Sequence, residues 1–248
     1  SRFPEPDNRI AGQKAQAFWL DVWIPGDARP GDYSLDLRLT SSDGGARGTV
    51  PLRVLATSIP EEDVVTIDHN SYGTSWMGDL YPKARAAAGQ EFYRSDGLFK
   101  LIHQHHRLFY EHRGVFHQLG YGHAGKVGPE FAPELEGSGR GKHIVSWDLF
   151  DRHYGPLFDG SAFAGSRRGK KPIPFAYLPI NPEWPASYLW WGEAGYEAEF
   201  VNVVSAMERH FREKNWTHTR LELFFNQKKR YMGFPWDGDE ERFPNDLP

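Results

Sequence analysis

Hydrophobic and polar positions along this chain follow two different rhythms. Over residues 33–39, YSLDLRL, they alternate: Tyr33, Leu35, Leu37 and Leu39 on one side, Ser34, Asp36 and Arg38 on the other. A period of two predicts a half-buried antiparallel strand. Residues 41–45, SSDGG, supply a hairpin turn with glycine available for positive φ. Residues 49–55, TVPLRVL, predict the returning strand. Upstream, residues 17–24, AFWLDVWI, gather apolar and aromatic β-formers around Asp21 and predict a third strand, set off by the turn signal PGDARPGD. Residues 1–16 form a polar, irregular lead-in. Three strands are too few for a sandwich, which takes about seven. Residues 1–60 are therefore expected to be the C-terminal part of a β-sandwich, or an add-on sheet.

After the polar link at residues 59–63 the rhythm changes to strand and helix in alternation. Short apolar runs at residues 64–67, 115–119, 175–180 and 221–225 predict four strands. Between them, Ser95 and Asp96 open a helix reaching about residue 113. Its predicted apolar face is Leu98, Leu101, Ile102, His105, Leu108 and Phe109. A Gly-rich loop covers residues 125–141, and Ser146 is an N-cap for a helix starting at Trp147. Residues 193–215 contain the clearest helix, with Phe200, Val203, Val204, Met207 and Phe211 in one stripe. Such alternation implies parallel βαβ units and an α/β fold. A complete eight-stranded barrel takes about 250 residues. The expectation for residues 61–248 is thus the first half of a (β/α)8 TIM-like barrel, partial in this chain, with the remainder supplied by a larger polypeptide. A first residue of Ser points to a processed or partial chain.

Composition narrows the function. The net charge of −4 and the absence of a basic tract argue against a nucleic-acid partner. No apolar run approaches the length of a membrane span. The chain has no cysteine, which removes disulfides, thiolate metal sites and a cysteine nucleophile. Aromatic residues make up 15% of the chain, nine of them Trp. They suit either a large aromatic core or a cleft in which flat rings stack on sugars.

Polar and aromatic residues follow each predicted strand, where an α/β barrel places its site. His69, Asn70 and Tyr72 follow the first; Tyr121 and His123 the second; Asn181, Glu183 and Trp184 the third; Asn226 and Lys228 the fourth. Each position has a plain alternative as a turn or a solvated strand end. Beyond the fourth strand Trp236 stands next to Asp237, Asp239, Glu240 and Glu241. Four carboxylates in five residues suit a solvated acidic loop, a Ca²⁺ site or paired acids of a glycosidase. No EF-hand spacing is present, so no metal is expected. His103, His105 and His106 lack the HExxH pattern and are expected to be a polar helix face with one buried member. No phosphate-binding glycine loop and no serine elbow occur.

The segments AFWLDVWIPGDARPGDYSLDLRL, LFKLIHQHHRL, WDLFDRHYGPLFDGSAF, YLPINPEWP, FFNQKKRY and PWDGDEE, in this order, resemble glycoside hydrolase family 123 and its uncharacterised relatives. That resemblance implies a β-sandwich before a catalytic barrel, and hydrolysis of β-linked N-acetylhexosamine, N-acetylgalactosamine in particular. It implies a substrate-assisted retaining mechanism without cofactor, in which Asp239 orients the acetamido group and Glu240 is the general acid/base. Glu241 stands where the family pattern places proline. The implied partner is a glycan and the implied location extracellular or periplasmic. The competing expectation is a non-catalytic carbohydrate-binding or structural module that keeps the fold.

Overall fold

The structure, a computed structural model, describes residues 10–63, 65–72, 74–119, 127–178, 184–185 and 194–223. For residues 70, 72, 117–119 and 223 it describes the backbone alone. The chain divides into two compact units, Ser1–Glu62 and Asp63–Pro248.

In the first unit the predicted alternation does make a hairpin. Strands β1 (Gly31–Ser41) and β2 (Gly44–Val54) pair antiparallel from Gly31↔Val54 to Ser41↔Gly44. The Ser41 hydroxyl donates to Gly44 O at 3.0 Å and accepts from the Asp43 N–H at 3.3 Å, which closes the tight turn. Cross-strand polar pairs add to the ladder: Thr49 Oγ1 donates to Asp36 Oδ1 at 3.2 Å, and Arg53 Nε to Asp32 Oδ1 at 2.6 Å. The apolar side is not covered as period two predicts. Tyr33, Leu37 and Leu39 are exposed and Leu35 is half-buried. Residues 17–24 form no strand, and Trp19 is 90% exposed. β-propensity needs a neighbouring strand to act on, and among the described residues none pairs with this stretch.

The second unit is mixed α/β. Strand β3 (Ile67–Tyr72) pairs parallel with β4 (Gly114–Leu119), Ile67↔Gly114 through Tyr72↔Leu119. The crossover between them holds α1 (Met77–Leu80), α2 (Pro82–Ala88), the 3-10 turn Gly89–Arg94 and α3 (Asp96–Glu111). A short antiparallel pair, β5 (Glu134–Glu136) with β6 (His143–Ser146), leads into α4 (Asp148–Phe158). Strand β7 (Phe175–Leu178) pairs parallel with β8 (Arg220–Leu223) across α5 (Tyr196–Glu213). β4 also comes into contact with β7. Among the described residues these strands form two parallel pairs and no closed barrel.

Local signals explain most of these elements, with corrections. Ser95 caps α3 as its sequence suggests, its Oγ accepting from Leu98 N at 3.2 Å. The buried face of α3 is Leu98, Phe99, Ile102, His106 and Tyr110. It is rotated from the predicted face, and Leu108 is exposed. α3 has aromatic rings on two sides, so spacing alone could not choose between them. The first parallel strand begins at Ile67 instead of ending there. The Gly-rich stretch contains β5, which pairs with β6 just beyond it, and α4 starts one residue later than predicted, with Trp147 at its N-cap and the Ser146 hydroxyl accepting from Asp148 N at 3.3 Å. At the end of α4, Gly160 has φ 76° and sits against the Lys171 backbone, leaving no room for a side chain.

Two apolar clusters hold the unit. Met77, Phe92, Leu98, Phe99 and Ile102 pack beneath α2 and α3. The larger cluster joins Phe150, Tyr154, Leu157 and Phe158 of α4 to Val203, Met207 and Phe211 of α5, Ala176 and Leu178 of β7, and Phe131, Phe163, Trp184 and Trp216. Full burial of each large side chain contributes about 1.5–3 kcal/mol. Inside α5, Glu199 lies on the same stripe as Val203 and Met207. Its carboxylate accepts from Lys142 Nζ at 3.1 Å and from Gly139 N at 2.6 Å.

Candidate functional site

Three connections converge on a cleft of about 240 Å³. Each leaves the C-terminal end of a parallel strand. The β3–α3 connection contributes Arg94. The β4–α4 connection contributes Val127, Gly128, Pro129, the stretch from Ala132 to Glu134, and Ser146. Leu149 and Phe150 continue that wall into α4, and Trp184 joins from the β7–α5 connection. The cleft is below the roughly 300–1,000 Å³ of drug-sized pockets and has room for one small ring.

Behind this wall a chain of buried polar groups ties the same connections together. Thr74, two residues past β3, donates its hydroxyl to Glu130 Oε1. Glu130 is 3% exposed, and its Oε2 has no hydrogen-bond partner among the described residues. His153 of α4 donates from Nδ1 to the Glu130 carbonyl at 2.7 Å. That bond leaves Nε2 as the unprotonated nitrogen, also without a partner among the described residues. His103 of α3 in turn donates from Nε2 to the His153 carbonyl at 2.7 Å. Four segments distant in sequence thus share one strut.

Burial sets the charges of this strut. It raises the Glu130 carboxyl above the ordinary carboxylate range, against the opposing pull of the Thr74 hydroxyl, a backbone N–H and the Arg94 charge. It lowers His153 to about 3, opposed by the bond to Glu130 and reinforced by His103. His103 is lowered for the same reason, opposed by its backbone bond and by Asp159. Burial and the nearby Glu130 raise the Tyr154 hydroxyl.

At the cleft itself, Trp184 is 5% exposed, and its indole Nε1 has no acceptor among the described residues. A buried N–H without an acceptor carries a penalty of about 1–3 kcal/mol. Comparison with protein-family models, with curated proteins and with solved structures found no match. The cleft is lined by Trp184, Arg94, Glu134 and Ser146, an aromatic and polar set suited to a small polar ring.

Of the residues singled out in the sequence, Trp184 lies in this wall. Asn70 and Tyr72 lie in the C-terminal half of β3, just before Thr74, with backbone alone described. Tyr121, His123, Asn181, Glu183, Asn226, Lys228, Trp236, Asp239 and Glu240 lie outside the described residues. His69 is exposed and stacks on Phe109 with ring centroids 4.8 Å apart. The three histidines of α3 diverge. His103 joins the strut, His105 Nε2 meets the Tyr81 hydroxyl at 2.8 Å, and His106 is buried against Phe116. No group of three metal-ligating side chains forms among the described residues. No described helix is long and apolar enough to cross a membrane.

Sequence reasoning missed Thr74, Arg94, Glu130 and His153. Glu130 did leave a signal: an acid between Pro129 and the apolar Phe131, Ala132 and Pro133. A carboxyl in such a setting is drawn inward by its neighbours.

Proposed function

We propose that the chain belongs to a glycoside hydrolase acting on β-linked N-acetylhexosamine glycans, N-acetylgalactosamine by the family resemblance, through substrate-assisted retaining catalysis. In this reading the two parallel pairs are part of a (β/α) barrel and the β1–β2 ribbon the end of a preceding sandwich. The glycan is met outside the cytoplasm. The observation that supports the reading most is the cleft, which gathers residues from the three connections that leave the C-terminal ends of β3, β4 and β7. Ligands of α/β proteins bind at that end. Trp184 gives it an aromatic wall for a sugar face.

The chemistry needs a proton on the leaving oxygen and stabilisation of a developing oxocarbenium ion. Glu240 supplies the proton, and Asp239 holds the acetamido group whose oxygen attacks the anomeric carbon. Both follow β8 in the chain. The test is hydrolysis of chromogenic β-glycosides with and without the N-acetyl group. The expected result is cleavage of the N-acetylated substrates only, with kcat reduced about 10²–10⁴-fold in Glu240→Gln. Cleavage that ignores the N-acetyl group, or survives the substitution, overturns the mechanism. Sugar binding without turnover moves the chain to a non-catalytic carbohydrate-binding module.

A further inference from the structure

The cleft carries two accessible charges of opposite sign. Of the described residues that line it, Arg94 is the cation and Glu134 the anion, and both are exposed. Neither side chain forms a hydrogen bond or an ion pair among the described residues, with the other or elsewhere. The charge of Arg94 does reach the buried Glu130 carboxyl, without an ion pair between them among the described residues. The backbone that presents Arg94 is anchored on both sides. Phe92 is 1% exposed and packs with Met77 and Leu98, and the Ser95 hydroxyl donates to Phe92 O at 2.7 Å while capping α3. Glu134 of β5 is the register partner of Ser146 of β6, so one antiparallel pair carries both. The rest of the lining is mostly apolar, with Pro129, Ala132, Leu149 and Phe150.

We propose that Arg94 is a specificity-determining residue of the cleft, and that the sugar it selects carries an anionic substituent, a carboxylate or a sulfate ester. The inference rests on the carbohydrate reading but not on Asp239 or Glu240. A guanidinium presents a planar fork of N–H donors that matches two oxygens of a carboxylate or sulfate, and it keeps its charge at any working pH. A neutral N-acetylhexosamine offers that fork no opposite charge. Glu134 sets the orientation. It repels an anionic group, so the substituent turns to Arg94, while the hydroxyl or amide donors of the ring turn to the Glu134 carboxylate. Two opposite charges on one small cleft, not spent on each other, thus select both the charge of the sugar and its direction. An Arg94 that served only the Glu130 carboxyl would affect stability and give no preference among ligands.

The experiment is calorimetric titration of the intact chain with two matched pairs of probes: N-acetyl-D-galactosamine and its 6-O-sulfate, and D-galactose and D-galacturonate. The expected result is that the charged member of at least one pair binds about tenfold more tightly at low salt, with a smaller gain at high salt. The pair that shows the gain identifies the substituent. Arg94→Gln should remove the preference, and Arg94→Lys, which keeps the charge and loses the fork, should retain part of it, with folding checked by the thermal transition. Equal binding of charged and neutral probes, or a preference that survives Arg94→Gln, overturns this inference; turnover of a neutral N-acetylated glycoside then leaves the glycosidase reading intact. A preference that depends on Arg94 without turnover of any glycoside upholds it and removes the catalytic reading. Failure of all four probes to bind overturns this inference, and failure to turn over any glycoside as well removes the glycosidase reading with it.

Discussion

The two units treat their apolar residues in opposite ways. In the second, Phe92, Phe131, Phe150, Phe163, Leu98 and Leu157 are all buried to 2% exposure or less. In the first, among the described residues, none is buried, and Trp19, Phe18, Leu39 and Tyr33 stand in solvent. The local patterns are equally clear in both. The difference is one of layers. α4 and α5 pack against each other and against β7, so every apolar stripe meets another. The β1–β2 ribbon has its ladder and its turn but no opposing layer among the described residues of its unit. A two-stranded ribbon alone is marginal in water.

The comparison breaks first on the core. Phe150→Ala should cost about 3–5 kcal/mol, because the ring is held by Tyr154, Phe158 and Phe211 and the space cannot collapse. Lys142→Ala should be nearly as severe, about 3–5 kcal/mol, since it leaves the Glu199 carboxylate buried with its ion-pair partner gone. Chemical denaturation measures both. If Lys142→Ala is mild, the Gly139 N–H and the other partners of Glu199 hold its carboxylate without the ion pair.

Smaller effects appear with pH, and two groups of the strut act with opposite signs. His153 titrates near 6.5 when unfolded and about 3 when folded. Between those values the unfolded chain binds more protons, so stability is full above about 6.5 and declines as pH falls toward 3, by a few kcal/mol at most. His153→Gln, whose amide can still donate to the Glu130 carbonyl, should flatten that acid limb in melting curves taken across the window. An unchanged slope would mean that His153 charges inside the fold. Glu130 works the other way. Its folded value is raised, so its contribution is full below the ordinary carboxylate range and is lost as pH rises through the raised value. Glu130→Gln should therefore gain on wild type as pH increases.

These groups also mark where the sequence was legible and where it was not. The ribbon, its Ser41–Gly44 turn, the Ser95 cap and the stripe of α5 were visible because each depends on neighbours within a few residues. The face of α3 was not, because Phe99 and Leu108 compete for the core and only the packing of Met77 and Phe92 against it decides. Residues 17–24 look like a strand because apolar β-formers signal a strand whether or not another strand is there to pair. Glu199 was hidden in plain spacing: i−4 from Val203 and i−8 from Met207, it occupies a core position that a hydrophobic stripe leaves out. The strut of Thr74, Glu130, His153 and His103 joins residues up to 79 positions apart. No local pattern encodes such a set. Trp184 was singled out as an aromatic residue just past a strand, and it lines the cleft.

The sharpest form of the comparison is the smallest effect. The first unit has its own close ion pair, Arg53 to Asp32, with a 2.6 Å contact shorter than the 3.1 Å of Lys142 to Glu199. Distance alone would rank it higher. Its side chains are 73% and 72% exposed, whereas those of Lys142 and Glu199 are 8% and 1%. In water the Coulomb attraction is screened and removal of one partner leaves the other solvated, so Arg53→Ala should change stability by about 0–1 kcal/mol. Leu39→Ala, on the uncovered face of β1, should stay within about 0.5 kcal/mol. The test is the thermal transition of each variant in the intact chain. If either costs as much as its counterpart in the second unit, the apolar face of the ribbon is covered in solution, and the contrast between the units is one of missing partners instead of missing layers.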